Sequence, residues 1–135
     1  NMGKEVAQRV IKLMINKGHR IKDSKVTLLG ITFKENCPDI RNSRVIDVIR
    51  ELEAFSCNVT VYDPWADPKE VMKEYDIELL NTRPAFEDNA DSEAVIIAVA
   101  HDQFRELDYS KLSKNGCILF DLKSILPEGV TDERL

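Results

Sequence analysis

The spacing of apolar residues changes along the chain, and each change marks an element. Near the start, Val6, Val10, Leu13 and Met14 recur at helical spacing, with Lys4, Glu5, Gln8, Arg9 and Lys12 between them. The pattern predicts an amphipathic helix ended by Gly18, a residue suited to a helix C-cap. Residues 26–31 are apolar or small almost throughout, as a strand buried on both faces requires. The next stretch suits neither strand nor helix, because Pro38 lacks an N–H and pushes Cys37 away from helical angles. Asn42 and Ser43 offer oxygens to cap a second helix, which Val45, Val48, Ile49, Leu52 and Phe55 mark over about residues 44–54.

A second strand is expected over 58–62, ending in the Asp63–Pro64 turn, and Pro68 suits the first position of a short helix over 68–74. Further strands are expected over 77–80, 94–99 and 117–120, with short helical pieces over 85–89 and 109–114 and a loose tail opened by Pro127 and Gly129. Strands that alternate with helices predict an α/β domain with a mostly parallel sheet of five or six strands and right-handed crossovers. The leading helix is not needed by such a domain. It can pack on the sheet edge, belong to a neighbouring domain or form a dimer contact.

In an open α/β sheet, ligands sit outside the carboxyl ends of the strands. The loop after the first strand carries Phe33, Lys34, Asp39 and Arg41. His101 leaves the 94–99 strand and Lys123 leaves the 117–120 strand. If the strand order reverses between the first strand and 94–99, these ends flank one crevice, and three cations there suit a diphosphate. Each lysine alone is more often a solvated surface residue, but their joint placement at strand ends favours the ligand reading. Asp63 stands where an acid can meet a ribose, yet Asp before Pro is more commonly a plain turn residue. His101 reads as a loop hydrogen-bonder or a proton carrier. Cys37 reads as a partly buried thiol, and Cys57 and Cys117 as core.

Composition narrows the choice. The 135 residues amount to about one domain, and the net charge of −5 argues against broad binding of nucleic acid. Three cysteines without a CxxC pair, beside only His19 and His101, make a structural zinc unexpected and fit a reducing cytoplasm. The longest apolar run, 94–100, falls far short of a membrane span. No signal peptide is read, since Asn1 opens directly on the first helix, and Asn1 in place of Met suggests a piece cut from a longer protein. GxGxxG and GxxxxGK[ST] are both absent, so a dinucleotide held by the usual glycine loop is not expected. No catalytic set is visible.

The run Gly30-Ile31-Thr32-Phe33-Lys34-Glu35-Asn36-Cys37-Pro38-Asp39-Ile40-Arg41-Asn42-Ser43 closely resembles the UDP-glucose/GDP-mannose dehydrogenases in their C-terminal, UDP-sugar-binding domain. Val61-Tyr62-Asp63-Pro64, Val99-Ala100-His101-Asp102-Gln103-Phe104 and Phe120-Asp121-Leu122-Lys123-Ser124-Ile125-Leu126 agree in order and spacing. The wording of the first and third motifs looks most like the bacterial branch acting on UDP-N-acetylhexosamines. The resemblance implies a Rossmann-like three-layer domain over 19–135, preceded over 1–18 by the end of a long linker helix that builds a homodimer. It implies a partner in the N-terminal NAD-binding domain of the same chain and oxidation of a sugar C6 alcohol to a uronic acid with two NAD+. Phe33 and Lys34 match the pair that contacts the UDP-sugar, and Arg41 matches an arginine reaching NAD across the cleft. Lys123 matches a substrate-touching position often held by arginine, and lysine there lacks the planar fork. The family's glycine-rich NAD motif and catalytic cysteine have no counterpart here, so the chain alone is expected to be inactive. Two rival readings are a receiver-like regulatory domain, which needs an acid pair after the first strand, and a non-catalytic nucleotide-sensing or interaction module.

Overall fold

The computed structural model describes residues 2–86, 92–112, 116–127, 129, 131 and 133–134. The elements run α1 (Met2–Asn16), β1 (Lys25–Leu29), α2 (Val45–Ala54), β2 (Asn58–Tyr62), α3 (Pro68–Tyr75), β3 (Ala94–Ile97), α4 (Asp102–Arg105), β4 (Ile118–Asp121) and β5 (Glu133–Arg134). The five strands form one parallel sheet in the order β2-β1-β3-β4-β5. The chain leaves central β1 for β2 on one side and returns to β3 on the other, which is the reversal that opens a crevice at the strand ends.

The period-two alternation of the strands divides the core. Val26, Leu28, Ala94, Ile96, Ile118 and Phe120 face one side and pack with α1, α2 and Val71 of α3. Leu29, Val95, Ile97 and Leu119 face the other, beneath Phe86, Phe104, Tyr109, Leu112 and Leu126. A sheet covered on both faces needs strands apolar in both registers, and β1, β3 and β4 are buried at nearly every position.

Helix α1 buries Val6, Ala7, Val10, Ile11 and Met14 in the same core as α2 and the sheet. It lies against α2 at Gly3, where a Cβ would stand 2.4 Å from the Asp47 Cβ. The predicted C-cap holds: Gly18 has φ +84° and His19 N–H donates to the Met14 carbonyl at 2.9 Å. Helix α3 starts as predicted on Pro68, with Asp67 accepting from Lys69 N–H at 2.9 Å. Among the described residues no helix is long and apolar enough to cross a membrane.

Several expectations change. Residues 77–80 form no strand and contribute one parallel bridge, Leu79 to Val61, with Leu80 N–H donating to the Val61 carbonyl at 2.8 Å. The tail adds β5 beside β4 rather than staying loose, since β4 otherwise offers an unpaired edge. Neither Asn42 nor Ser43 caps α2. The N-cap is Arg44, with no side-chain cap bond, because the helix starts too late for the upstream oxygens to reach its first N–H groups. Ser43 Oγ is buried without a hydrogen-bond partner. The 100–104 loop contains the single turn α4. Of the helical pieces expected over 85–89 and 109–114, residues 87–89 and 113–114 lie outside the described residues; residues 85–86 have no regular structure and 110–112 form turns.

Candidate functional site

A cleft of about 390 Å³ lies outside the carboxyl ends of β1, β3 and β4. It is bounded by Thr32, Phe33 and Lys34 after β1, Ala98 and Val99 after β3, and Leu122 and Lys123 after β4. The first turns of α1 and α2 close the remaining sides through Gly3, Arg44 and Val45. Strands β1 and β3 come this close at their ends because Gly30 carries no side chain: its φ is +101° and a Cβ would stand 2.6 Å from the Val99 Cβ.

Three of the four sequence-predicted site residues meet here. Phe33, Lys34 and Lys123 line the one cleft, and Phe33 remains 57% exposed although it is large and apolar. Neither Lys34 nor Lys123 is in an ion pair among the described residues. With Arg44 the cleft holds three cations against one carboxylate, Glu35, on a chain whose net charge is −5. The uncapped start of α2 adds its partial positive charge on the same side. Arg44 was missed because on sequence it reads only as the opening residue of a helix.

Arg41 does not join them, which corrects the expectation that it is one of the three cations around the crevice; Arg44 stands there instead. Arg41 lines a separate groove with Trp65, Asp67, Glu70 and Glu74. Its guanidinium forks onto Asp39, Nε to Oδ1 and Nη2 to Oδ2, both at 3.0 Å. Hydrogen bonding from that fork holds the Asp39 carboxyl down at about 2. The loop is directed there by Tyr75 of α3, whose hydroxyl donates to the Ile40 carbonyl.

Beneath the cleft sits a buried polar network that ties three strand ends together. Asp63 Oδ2 accepts from Ile31 N–H at 2.7 Å, Thr32 N–H at 3.2 Å and His101 Nε2 at 3.0 Å. Its Oδ1 accepts from Trp65 N–H at 2.7 Å and Ala66 N–H at 3.1 Å. Burial pushes the Asp63 carboxyl up, but the bonds from His101, Ile31 and Trp65 outweigh it and hold the group below the usual carboxylate range. Asp63 is thus the turn residue expected from sequence and also the anchor of the loop after β1. His101 is fully buried and bonded, the first of its two sequence readings. Asp121, also fully buried, shapes the turn that carries Lys123 by accepting from Lys123 N–H at 3.3 Å and Leu126 N–H at 2.9 Å.

The same network decides whether this sheet can hold a dinucleotide in the usual way. In the glycine-loop arrangement the N–H groups after the first strand face a pyrophosphate and the acid after the second meets a ribose. Here Ile31 and Thr32 N–H are engaged by Asp63, and Asp63 itself is turned inward with both oxygens occupied. The residues present do not fit that mode. Cys57 and Cys117 are buried and Cys37 half-buried, all as free thiols, and burial pushes the Cys57 thiol up.

The fold and cleft define the chain as a doubly wound α/β domain with a cationic pocket at its switch point. Residues 27–128 match the model of the UDP-glucose/GDP-mannose dehydrogenase family, UDP binding domain, and the chain belongs to that family. It is 45% identical over its whole length to a UDP-N-acetyl-D-glucosamine 6-dehydrogenase of Salmonella typhi. It is 38% identical over 99% of its length to the Pseudomonas aeruginosa protein of the same description. The chain spans 32% of the length of each of these relatives. A UDP-glucose dehydrogenase structure from the archaeon Pyrobaculum islandicum shares the fold with a TM-score of 0.71 at 24% identity, covering 95% of this chain and 28% of that one.

Proposed function

We propose that the cleft binds the UDP end of a nucleotide sugar, and that the chain is the UDP-binding part of a larger NAD-dependent UDP-sugar 6-dehydrogenase acting on a UDP-N-acetylhexosamine. The observation that carries the reading is the presence in one cleft of two lysines, Lys34 and Lys123, with no ion-pair partner among the described residues, beside the exposed ring of Phe33 and an uncapped helix start. Lys34 and Lys123 are point charges for the diphosphate, and the Phe33 face offers an apolar contact to the bound nucleotide. The sugar class follows the Salmonella typhi and Pseudomonas aeruginosa relatives, both described as UDP-N-acetyl-D-glucosamine 6-dehydrogenases.

NAD, the cofactor of the whole enzyme in this reading, would sit on an N-terminal domain of the same longer protein. Arg41 would reach it from the separate groove once its fork on Asp39 opens. Residues 1–18 would end a helix that joins that domain to 19–135 and supports a homodimer. The enzyme would work in the cytoplasm on surface-polysaccharide precursors, with neither nucleic acid nor membrane as a partner. The 135-residue chain would have no dehydrogenase activity by itself, having no nucleophilic thiol in the cleft.

Isothermal titration of the chain with UDP, UDP-N-acetylglucosamine, GDP and uridine tests the binding step. The diphosphate carries the charge complementarity, so UDP and UDP-N-acetylglucosamine are expected to bind and uridine to give no heat. GDP is expected to bind more weakly than UDP. No heat with any of the four ligands overturns the reading.

A further inference from the structure

The turn that carries Lys34 is bonded by a side chain from the loop after β3. His101 leaves β3 as the N-cap residue of α4 and is fully buried, with its ring 5.3 Å from that of Phe104 and 6.2 Å from that of Trp65. Its Nδ1 receives the Asn36 backbone N–H at 2.9 Å. An N–H donor at that position requires an unprotonated Nδ1, so the ring proton is on Nε2. Nε2–H then faces Asp63 Oδ2 at 3.0 Å and Thr32 Oγ1 at 3.1 Å. The Thr32 hydroxyl gives its own hydrogen to the Lys34 carbonyl at 3.0 Å, so toward His101 it can only accept. Asn36 closes the clasp by accepting the Asp102 N–H on its Oδ1 at 3.0 Å, which stabilises Asn36 in its left-handed conformation, φ +53°. The backbone is therefore held at Lys34 and again at Asn36, while the Lys34 side chain stays exposed in the cleft.

We infer that His101, as the neutral Nε2–H tautomer, is a positioning residue that sets the 33–36 turn and so the placement of Lys34. Its consequence for ligand binding rests on the UDP reading above, but the geometry is open to measurement in the free chain. An asparagine at 101 can place its amide oxygen near the Nδ1 position and keep the bond from Asn36. A glutamine can place its amide nitrogen near the Nε2 position and keep the bond to Asp63, but it offers Asn36 no acceptor. The pair separates turn positioning from core filling, since both substitutions replace the ring.

The test compares His101→Asn and His101→Gln by amide hydrogen exchange and UDP titration. His101→Asn is expected to keep the Asn36 amide protected and UDP affinity close to the parent's. His101→Gln is expected to expose the Asn36 amide, keep the Ile31 amide protected, and weaken UDP binding about tenfold, the effect of one lost buried hydrogen bond. Equal loss of Asn36 protection in both variants, or none in His101→Gln, overturns the inference. If neither variant folds, long-range 1H–15N spectra of the parent imidazole decide: a bare Nδ1 supports the inference and a protonated Nδ1 overturns it. A parent chain that ignores UDP while the exchange pattern holds refutes the cleft reading and supports the positioning role.

Discussion

Replacing Asp63 with Asn keeps the size and shape of a buried side chain and removes only its charge and one acceptor. Five N–H groups point at the carboxylate: those of Ile31, Thr32 and His101 at Oδ2, and those of Trp65 and Ala66 at Oδ1. An amide has one oxygen, and its best orientation turns that oxygen to the three donors and its NH2 to the other two. Two buried or half-buried backbone donors then lose their acceptor, at about 1–3 kcal/mol each. Asp63→Asn should therefore destabilise the chain by roughly 2–6 kcal/mol at pH 7, a large share of a stability on the order of 5–15 kcal/mol. The folded carboxyl lies below its unfolded value of about 3.9, so its contribution is complete above that pH and is lost as pH falls through the folded value. Once protonated, Asp63 carries the same mismatch as asparagine. Urea unfolding at pH 7 and at pH 3 should show the gap between parent and variant narrowing in acid. A gap under about 0.5 kcal/mol at pH 7, within the range of ordinary surface substitutions, would refute the claim that Asp63 anchors the loop after β1.

The remaining expectations concern the cleft and its neighbours. Lys34→Ala and Lys123→Ala should each weaken UDP binding by about tenfold at low salt, and by less at high salt, with the unfolding midpoint unchanged. Titrations at two ionic strengths check this. Arg41→Ala should leave UDP affinity within about 0.5 kcal/mol of the parent, because Arg41 lies in the other groove on Asp39. Gly30→Ala meets both a φ of +101° and the Val99 Cβ, and should cost at least about 2 kcal/mol. Gly18→Ala, with φ +84° and open space around it, should cost only about 1 kcal/mol, and urea midpoints compare the two.

The parts of the fold that depend on local pattern could be read from the sequence. The continuous apolar runs of β1 and β3, the periodic faces of α1 and α2, Pro68 behind Asp67, and Gly18 at a helix end all act within a few residues of themselves. The placement of Phe33, Lys34 and Lys123 followed from them once strand ends were taken as the ligand edge. Four features could not be read in this way. Glu133 and Arg134 carry no apolar signal, and β5 exists because β4 offers an edge. The late start of α2 left Ser43 without its expected capping role. Arg41 turned from the cleft because Asp39 and Tyr75 hold its loop elsewhere. The Asp63–His101 network joins residues 38 positions apart, and its role depends on burial, which no local motif encodes.

The central claim is that charge without an ion-pair partner among the described residues, at the switch point of the sheet, is matched by a nucleoside diphosphate. Following the backbone amides of the 15N-labelled chain by NMR while UDP is added tests it most directly. The account predicts shifts at Phe33, Lys34, Val45 and Lys123, the residues that surround the cleft, with the groove of Arg41 and Trp65 undisturbed. Shifts confined to that groove, or a spectrum that UDP leaves unchanged, would contradict it.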